Sequence, residues 1–217
     1  MPVAAVSGGS RASNRMPKGP RRALRLRSWR VVEFASLDFE TTGLDYEKDA
    51  IVSFGVVPVR RGRVVVGDAV HQLVVPDIPS SATSMQIHRI LPQDLADAPP
   101  LEVARERLRE CLEGRFLIAW FANVEIAFLT RMFGGRARAW ARRTVDVREL
   151  AIELEGANPD VRYSLTSAAE RYGVPVANPH EALDDALVTA QLFLVLASRL
   201  EAKGKGSARS LLRLTRP

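Results

Sequence analysis

The sequence predicts an α/β domain built on one mixed β-sheet, and three observations lead to that prediction. A meander of three β-rich runs comes first along the domain. Patterns typical of helices and strands then alternate to its end. With 217 residues, of which 47% are hydrophobic, the chain is also long enough and apolar enough for one domain with a full core.

The meander is predicted from alternating and β-branched residues. The run RVVEFASLDFE predicts a first strand over about 30–40. The segment AIVSFGVVPVRRGRVVVGDAVHQLVV predicts two further strands, joined at a hairpin-like turn at Arg61-Gly62. We therefore expect these three strands to be antiparallel neighbours in the sheet.

The rest of the domain is predicted to alternate between helix and strand. PPLEVARERLRECLEG begins with proline, has helical apolar spacing and ends at glycine, so it predicts a helix over about 100–113. RFLIAWF predicts a short buried strand, VEIAFLTRMFGG a helix and RTVDV the end of a strand. RELAIELEG and SLTSAAERYG predict two more helices, and HEALDDALVTAQLFLVLASRL predicts the last and longest, over 181–199.

The net charge of +6 is unevenly distributed along the chain. Residues 1–30 carry eight Lys or Arg and no acid, and 201–217 carry five and one acid, so the intervening body is acidic. We predict a folded domain over 30–200, between basic and largely disordered tails over 1–29 and 201–217. The tails would provide a loose grip on phosphates, or would be solvated extensions; a transit peptide is a third alternative for the first of them.

Other features of the sequence narrow the cellular location. Cys111 is the single cysteine, which excludes an internal disulfide framework and fits a reducing compartment. No apolar run reaches 18 residues, and the N-terminal stretch contains no apolar segment typical of a secretory signal. We therefore expect a cytoplasmic protein without a membrane span.

Two carboxylates stand at the predicted end of the first strand, in SLDFETTGL. Alternate residues of a strand share a face, so Asp38 and Glu40 are expected to point the same way, with Leu37 and Phe39 on the opposite side. Two neighbouring carboxylates repel each other unless a cation or a proton holds them, and hard divalent cations prefer such oxygen ligands. The alternative is that both acids face water beside a turn.

A second acidic cluster opens the last predicted helix, in NPHEALDDALVTAQLF. Helical spacing places Asp185 on a stripe of mostly small residues that faces the core, whereas Asp184 is rotated away by about 100°. An acid on such a face is costly unless it is paired or bound to a metal. His180 precedes the helix on a loop, and histidine is the side chain best suited to exchanging protons near neutral pH. The alternative is that His180 and Asp185 are cap and surface residues.

Together these motifs resemble the DEDDh family of 3′→5′ exonucleases, which includes the proofreading epsilon subunit of bacterial replicative DNA polymerase and ribonuclease T. DFETTG at 38–43 and HEALDD at 180–185 both match the family's pattern in full. Between them, SMQIHRILPQDLADAPP resembles the stretch after the family's third strand, with Arg89 where glycine is common. The resemblance covers 31–199 and implies an RNase H-like mixed sheet, a three-strand antiparallel meander plus parallel strands, flanked by helices.

The middle motif departs from the family. In LIAWFANVEIAFL, Glu125 takes the place of the family's aspartate, and Trp120-Phe121 stand where His-Asn is usual. Glutamate keeps the carboxylate and adds one methylene, so it could still reach a metal; the alternative is an acid that stabilises a helix N-terminus. Asp146, where the family has an aspartate before a helix, is interpreted as a structural or N-cap residue with a supporting role if Glu125 fails.

The resemblance implies two-metal-ion hydrolysis of nucleic-acid 3′ ends. Asp38, Glu40, Glu125 and Asp185 would hold two Mg²⁺ or Mn²⁺ ions about 3.5–4 Å apart, with His180 as the general base. The substrate would be single-stranded DNA or RNA, released as nucleoside monophosphates, and a polymerase or a second copy of the chain is a possible partner. The residues expected to contact substrate are Thr41, Thr42, Gly43 and Leu44. His88 and Tyr163 are looser candidates, and the alternative for both is ordinary surface packing.

Two other interpretations of the sequence stay open. One is a nucleic-acid-binding or polymerase-associated module whose catalysis is weakened at the middle motif. The other is an unrelated α/β protein with coincident acids. Cleavage of 5′-labelled single strands, compared with an Asp38→Ala variant, separates an active nuclease from a binding module.

Overall fold

The computed structural model of the chain describes residues 15–43, 45–156 and 163–215. Its centre is one six-stranded mixed sheet. The strands are β1 (Phe34–Thr41), β2 (Ile51–Arg60), β3 (Arg63–Val64), β4 (Val70–Leu73), β5 (Phe116–Ala119) and β6 (Thr144–Asp146).

The strand order is β3-β2-β1-β5-β6, and β4 also pairs with β2. Strands β1, β3 and β4 are each antiparallel to β2, whereas β5 is parallel to β1 and β6 is parallel to β5. The predicted meander and the predicted fold class are thus confirmed. The third predicted strand is divided in two, because a short 3-10 turn at Val66–Asp68 separates β3 from β4.

Helices cover both faces of this sheet. They are α1 (Ala82–His88), α2 (Leu101–Leu112), α3 (Asn123–Phe133), α4 (Ala137–Ala141), α5 (Val147–Glu155), α6 (Leu165–Tyr172), α7 (Ala182–Ala202) and α8 (Ala208–Leu214). The sequence patterns predicted five of them; α1, α4 and α8 were not anticipated. Each of these three has only five to seven residues, too few for a clear 3.6-residue repeat.

The core is divided by the sheet into two layers. Phe34 on β1 packs with α5, α6, α7 and α8 on one face, while Leu37 and Phe39 pack with α2, α3 and α4 on the other. Because successive side chains of a strand alternate between faces, Asp38 and Glu40 emerge on the α7 side. The prediction that these two acids lie on the opposite face of the strand from Leu37 and Phe39 is therefore confirmed.

The predicted disorder of the tails needs correction where the structure describes them. Helix α8 lies inside the segment 201–217, and its Leu211 and Leu212 are completely buried in the core layer that contains Phe34. Near the other end, Trp29 is 1% exposed, and its ring meets that of Phe193 edge-on at 5.6 Å. Burial of these apolar side chains outweighs the basic composition that suggested disorder. Residues 1–14 of the first tail lie outside the described part of the chain.

Among the described residues, α7 is the longest helix, and neither it nor any other helix there has the length and apolarity that crossing a membrane requires.

Candidate active site

Three carboxylates from distant parts of the sequence converge at one end of β1. Asp38, Glu40 and Asp185 each present an oxygen, and these atoms lie within 4.8 Å of one another. Asp38 and Asp185 are half-buried, and Glu40 is buried. This set, called the acidic group below, joins both motifs that the sequence singled out.

Strand β1 supplies two members of the acidic group from its C-terminal half. Asp38 is paired with Gly55 of β2, and Glu40 with Ser53, in the antiparallel register. The register shifts immediately after Glu40, where the chain leaves the ladder towards the following turn. The carboxylates therefore project from rigid backbone, at the point where the sheet opens.

Helix α7 supplies Asp185 because it approaches the sheet very closely. A β-carbon added to Gly55 would lie 2.1 Å from the carbonyl oxygen of Ala182 and 2.5 Å from the Cα of Leu183. Ala182, Ala186 and Ala190 are fully buried along the face of α7 that meets the sheet. The predicted stripe of small residues is thus present on α7, and Gly55 lies opposite its start on the sheet.

The loop before α7 is fastened to both aspartates of the helix. The backbone N–H of His180 donates to Asp185 Oδ2 at 3.1 Å. Asp184, by contrast, accepts hydrogen bonds from the backbone and side chain of Asn178, at 3.1 and 2.7 Å. The distinction predicted between the two acids is confirmed, since Asp185 joins the acidic group and Asp184 holds the loop.

His180 lies at the surface of this loop, beside the acidic group. Its side chain is exposed, and its φ of 65° is in the left-handed region that few non-glycine residues adopt. The hydrogen bond to Asp185 accounts for how this backbone geometry is held. His180 is thus attached to one of the acids and open to solvent.

Glu125 is buried in the first turn of α3, with 3% exposure. Its Oε2 has no hydrogen-bond partner among the residues that the structure describes. Its charge is one of those that raise the pKa of Asp38, so the two carboxyl groups lie within electrostatic reach. The geometric group does not include Glu125, but a buried acid oxygen without a partner is what an oxygen-binding cation would satisfy.

The pKa values of all four acids are raised in the metal-free protein, and burial is the largest cause for each of them. Burial, then the charges of Glu40, Glu125 and Asp185, raise the pKa of Asp38 well above its usual value. Burial, then Asp185, raise the pKa of Glu40 to about 8. Burial also raises the pKa of Glu125 and that of Asp185. Carboxylate oxygens crowded in this way fit a hard divalent cation, which would compensate their charge.

Asp146, at the end of β6, has the structural role that the sequence predicts. It is the N-cap of α5, and its carboxylate accepts from the backbone N–H groups of Arg148 at 3.0 Å, Ala122 at 2.8 Å and Phe121 at 3.2 Å. The prediction that it is an N-cap is confirmed. By holding Phe121 and Ala122, Asp146 fixes the entry into α3 and hence Glu125.

The turn after β1 is organised by Asp49, which the sequence reasoning missed. Thr42 is buried and donates to Asp49 Oδ1 at 2.9 Å, while its hydroxyl also accepts from the N–H of Ala50. A β-carbon on Gly43 would lie 2.3 Å from Asp49 Oδ2. Asp49 therefore packs closely against Gly43, and a larger residue there would displace the Asp49 side chain that also binds Thr42.

The remaining predicted contact residues have different environments. Thr41 donates its hydroxyl to the carbonyl of Gly43 at 2.7 Å, and Leu44 lies outside the described residues. His88 is buried at the end of α1, where its Nδ1 accepts from the N–H of Ile90 at 3.0 Å and burial lowers its pKa. Tyr163 donates its hydroxyl to the carbonyl of Gly156 at 3.0 Å. That these side chains touch substrate stays a prediction.

Arg89, where the resemblance favours glycine, is the C-cap of α1, with a φ of 60°. The departure from glycine therefore falls at a left-handed position, and it changes a helix end outside the acidic group.

Comparison with known proteins agrees with this geometry. A family model described as Exonuclease, of the RNase T type, matches residues 36–193, which is more than half of the chain. A DNA polymerase III PolC-type of Thermotoga petrophila is 34% identical over 179 residues, covering 82% of this chain and 13% of that protein. A DNA polymerase III subunit epsilon-like protein of Rhodobacter capsulatus is 32% identical, covering 79% of this chain and 24% of its own length. The chain thus spans only a small part of these curated relatives.

Solved structures give the same picture of the fold. Exonuclease X in complex with 5′ overhanging duplex DNA has a TM-score of 0.65 and 26% identity, covering 84% of this chain and 99% of that one. Exonuclease I of E. coli in complex with a dT13 oligonucleotide has a TM-score of 0.66 and 16% identity, covering 80% and 42%, and shows likeness of fold alone. With its acidic group, its sheet order and the matching family model, the chain belongs to the RNase T-type exonuclease family.

Proposed function

We propose that this chain is a divalent-metal-dependent 3′→5′ exonuclease that removes nucleoside 5′-monophosphates from single-stranded DNA ends. The observation that carries the proposal is the convergence of Asp38, Glu40 and Asp185 within 4.8 Å. No structural need for three crowded acids is visible there, whereas phosphodiester hydrolysis requires cations at the scissile phosphate. The names of the relatives, which include DNA polymerase III components, favour DNA as the substrate.

In this proposal the acidic group and Glu125 hold Mg²⁺ or Mn²⁺. Bound divalent cations would lower the pKa of the attacking water and stabilise negative charge on the leaving 3′ oxygen. The residues of the chain then hold the cations in position and deprotonate the attacking water. Asp146 fixes the start of α3, which keeps Glu125 directed inwards, and the rigid backbone of β1 keeps Asp38 and Glu40 in place.

His180 is the proposed general base. Its loop is held by the hydrogen bond to Asp185, so its exposed imidazole stands next to the acidic group while remaining open to solvent. It would take the proton of the water that attacks the phosphorus atom. The bond between phosphorus and the 3′ oxygen then breaks, and the leaving 3′ oxygen takes up a proton from solvent. The products are a shortened strand with a 3′-hydroxyl and a free nucleoside 5′-monophosphate.

A labelled-strand assay tests the proposal. A 5′-labelled single-stranded DNA incubated with the protein and Mn²⁺ should yield a ladder shortened from the 3′ end. His180→Ala should lower the rate by about 10²–10⁴-fold, while Mn²⁺ binding, measured by calorimetry, stays near the wild-type value. Asp38→Ala should lose both properties.

The same assay decides against the proposal if the wild type leaves the strand intact with every divalent metal tried. Tight binding of the strand without cleavage would then favour the nucleic-acid-binding or polymerase-associated module. A single-stranded RNA of the same sequence, degraded faster than the DNA, would change the substrate class. An Asp38→Ala protein as active as wild type would identify a contaminating nuclease.

A further inference from the structure

An exposed aromatic side chain stands at the entrance to α3, in an unusual backbone conformation. Phe121 follows the end of β5, is 42% exposed and has a φ of 57°. A left-handed conformation costs a non-glycine residue about 1–3 kcal/mol and is least suited to bulky side chains. Phe121 therefore combines backbone strain with an apolar ring left in water, although burial would be the usual reason for a phenylalanine at such a position.

The surrounding structure keeps this conformation in place. Asp146, buried on β6, accepts the backbone N–H of Phe121 and that of the next residue, Ala122. Helix α3 begins immediately afterwards and carries Glu125 in its first turn. The ring of Phe121 is thus presented from a fixed backbone, four residues before an acid that belongs to the proposed site.

The ring begins a row in which aromatic and cationic groups alternate. The guanidinium of Arg148 lies 5.5 Å from the ring centre of Phe121 and 5.9 Å from that of Tyr163. The guanidinium of Arg171 lies 5.4 Å from the Tyr163 ring centre. We call Phe121, Arg148, Tyr163 and Arg171 the aromatic–arginine row.

Further contacts hold the members of the row. Arg148 is within 3.3 Å of Glu149, and Arg171 within 2.6 Å of Glu155. The hydroxyl of Tyr163 is bonded to a backbone carbonyl. The rings and guanidinium groups are therefore arranged before any ligand arrives, which reduces the ordering entropy that binding would cost.

We propose that the aromatic–arginine row binds the nucleotides that lie 5′ to the terminal nucleotide of a single strand, with a base stacked on Phe121. This inference rests on the proposed function, because the row starts four residues before Glu125, an acid of the proposed metal site. Aromatic faces that stack bases and cations that attract phosphates are the two elements of single-strand binding, and stacking tolerates any base sequence. The row would hold the strand while its 3′ end is cleaved.

Phe121→Asn tests the row with two independent readouts. Asparagine tolerates the left-handed region far better than phenylalanine, so the variant should be more stable, with a thermal midpoint higher by about 2–4 °C. It removes the ring, so the affinity for a fluorescein-labelled 12-mer of thymidylate should fall by about tenfold or more. Anisotropy in the His180→Ala background with Mg²⁺ measures this affinity without cleavage.

Matched variants complete the experiment. Phe121→Trp keeps a flat ring and should retain or strengthen binding, and Tyr163→Leu should weaken it. Val66→Asn, which removes an apolar side chain that is even more exposed (63%) from the turn between β3 and β4, should leave the affinity unchanged. A stable Phe121→Asn protein that binds the 12-mer as tightly as its parent would overturn the proposal that the row binds the strand.

The row and the proposed function can fail separately. Hydrolysis of the p-nitrophenyl ester of thymidine 5′-monophosphate by the wild type reports on the acidic group alone, since this molecule has no second nucleotide. If the wild type hydrolyses the ester but Phe121→Asn binds the 12-mer normally, only the row is wrong. If the wild type does not hydrolyse it and Phe121→Asn still loses affinity, the row stands as a strand-binding site and the nuclease proposal fails.

Discussion

The carbonyl oxygen of Ala182 lies 2.1 Å from the point that a β-carbon on Gly55 would occupy. Gly55 is also the partner of Asp38 across the β1–β2 ladder. One glycine thus allows the start of α7 to rest on the strand next to the first acid, three residues before Asp185. The distance between the two acidic motifs is set at this contact.

Gly55→Ala should therefore separate Asp185 from Asp38 while the remainder of the fold persists. Displacement of catalytic groups by about 1 Å can lower a rate by about a hundredfold, and we expect a loss of that order in 3′→5′ hydrolysis. Mn²⁺ affinity should fall as well. Circular dichroism and calorimetry measure fold and binding, and Gly67→Ala is the matched control because nothing lies within 4 Å of its added carbon. Wild-type activity in Gly55→Ala would contradict this account of α7.

Glu125 should be needed for metal binding, and it should lower the free energy of unfolding of the metal-free protein. In Glu125→Gln, the side chain keeps its size but can no longer carry charge, so the metal-free protein at pH 8 should gain about 1–3 kcal/mol in free energy of unfolding. The increase in thermal midpoint caused by Mn²⁺ should shrink. Glu125→Asp retains the carboxylate and should keep most of the metal response. Equal Mn²⁺-induced shifts in wild type and Glu125→Gln would remove Glu125 from the ligand set.

The metal-free protein should lose stability as the pH rises. The pKa of Glu40 is raised from 4.5 to about 8 by burial and by Asp185, and the pKa of Asp38 is shifted in the same direction. Between pH 4.5 and 8 the folded chain thus binds more protons than the unfolded chain, so the free energy of unfolding falls as the pH increases. A difference of one pKa unit between folded and unfolded chain corresponds to about 1.4 kcal/mol.

Thermal unfolding in EDTA across this pH window measures the effect. The midpoint should decrease from pH 4.5 to pH 8, excess Mg²⁺ should restore it at pH 8, and Glu40→Gln should flatten the profile. A midpoint in EDTA that does not change over this window, with the fold intact, would show that these acids are not crowded in solution.

The basic surface made by the two ends of the described chain should add salt-dependent affinity for long strands. Arg22, Arg25, Arg209 and Arg213 line one shallow pocket that contains no acidic residue. Arg25 donates to the carbonyl of Arg142, just before β6, so the pocket lies at the opposite end of the parallel strands from the acidic group.

Changing Arg22, Arg209 and Arg213 together to glutamine should reduce the slope of log affinity against log salt by about 1 for each phosphate that these arginines neutralise in the wild type. A 30-mer should be affected more than a 6-mer, which is too short to reach from one end of the sheet to the other while bound at its 3′ end. Arg138→Gln, an exposed change on α4, is the control. If the salt slope of the triple variant equals that of wild type, the pocket does not contact the strand.

Local periodicity was sufficient to predict much of the candidate site. Alternation along β1 placed Asp38 and Glu40 on one face, and helical spacing alone separated Asp185 from Asp184. The motif order also led to the correct family, and the sheet class followed from the sequence of strand and helix patterns. The predictions about faces succeeded because each depends on residues within one turn of helix or a few residues of strand, whereas the family and the sheet class followed from the order of motifs and elements along the chain.

Other features were decided by contacts between distant parts of the chain. Nothing in the sequence distinguishes Gly55 from other strand residues or Asp49 from other loop residues, and Phe121 stands out only as a departure from the family motif. Only tertiary packing reveals that Gly55 admits α7, that Asp49 builds the turn at Gly43 and that Phe121 is held in a left-handed conformation. The sequence also failed to predict that α8 is ordered, because its burial depends on contacts with distant parts of the chain.

The sequence by itself determined which residues have reactive side chains. It also determined which face of its strand or helix each of them occupies, because local backbone geometry sets that face. What the tertiary structure alone decided is how close those faces come. That distance depends on the side chains that two elements place against each other, and at Gly55 and Ala182 it is the absence of one side chain that brings the acids together.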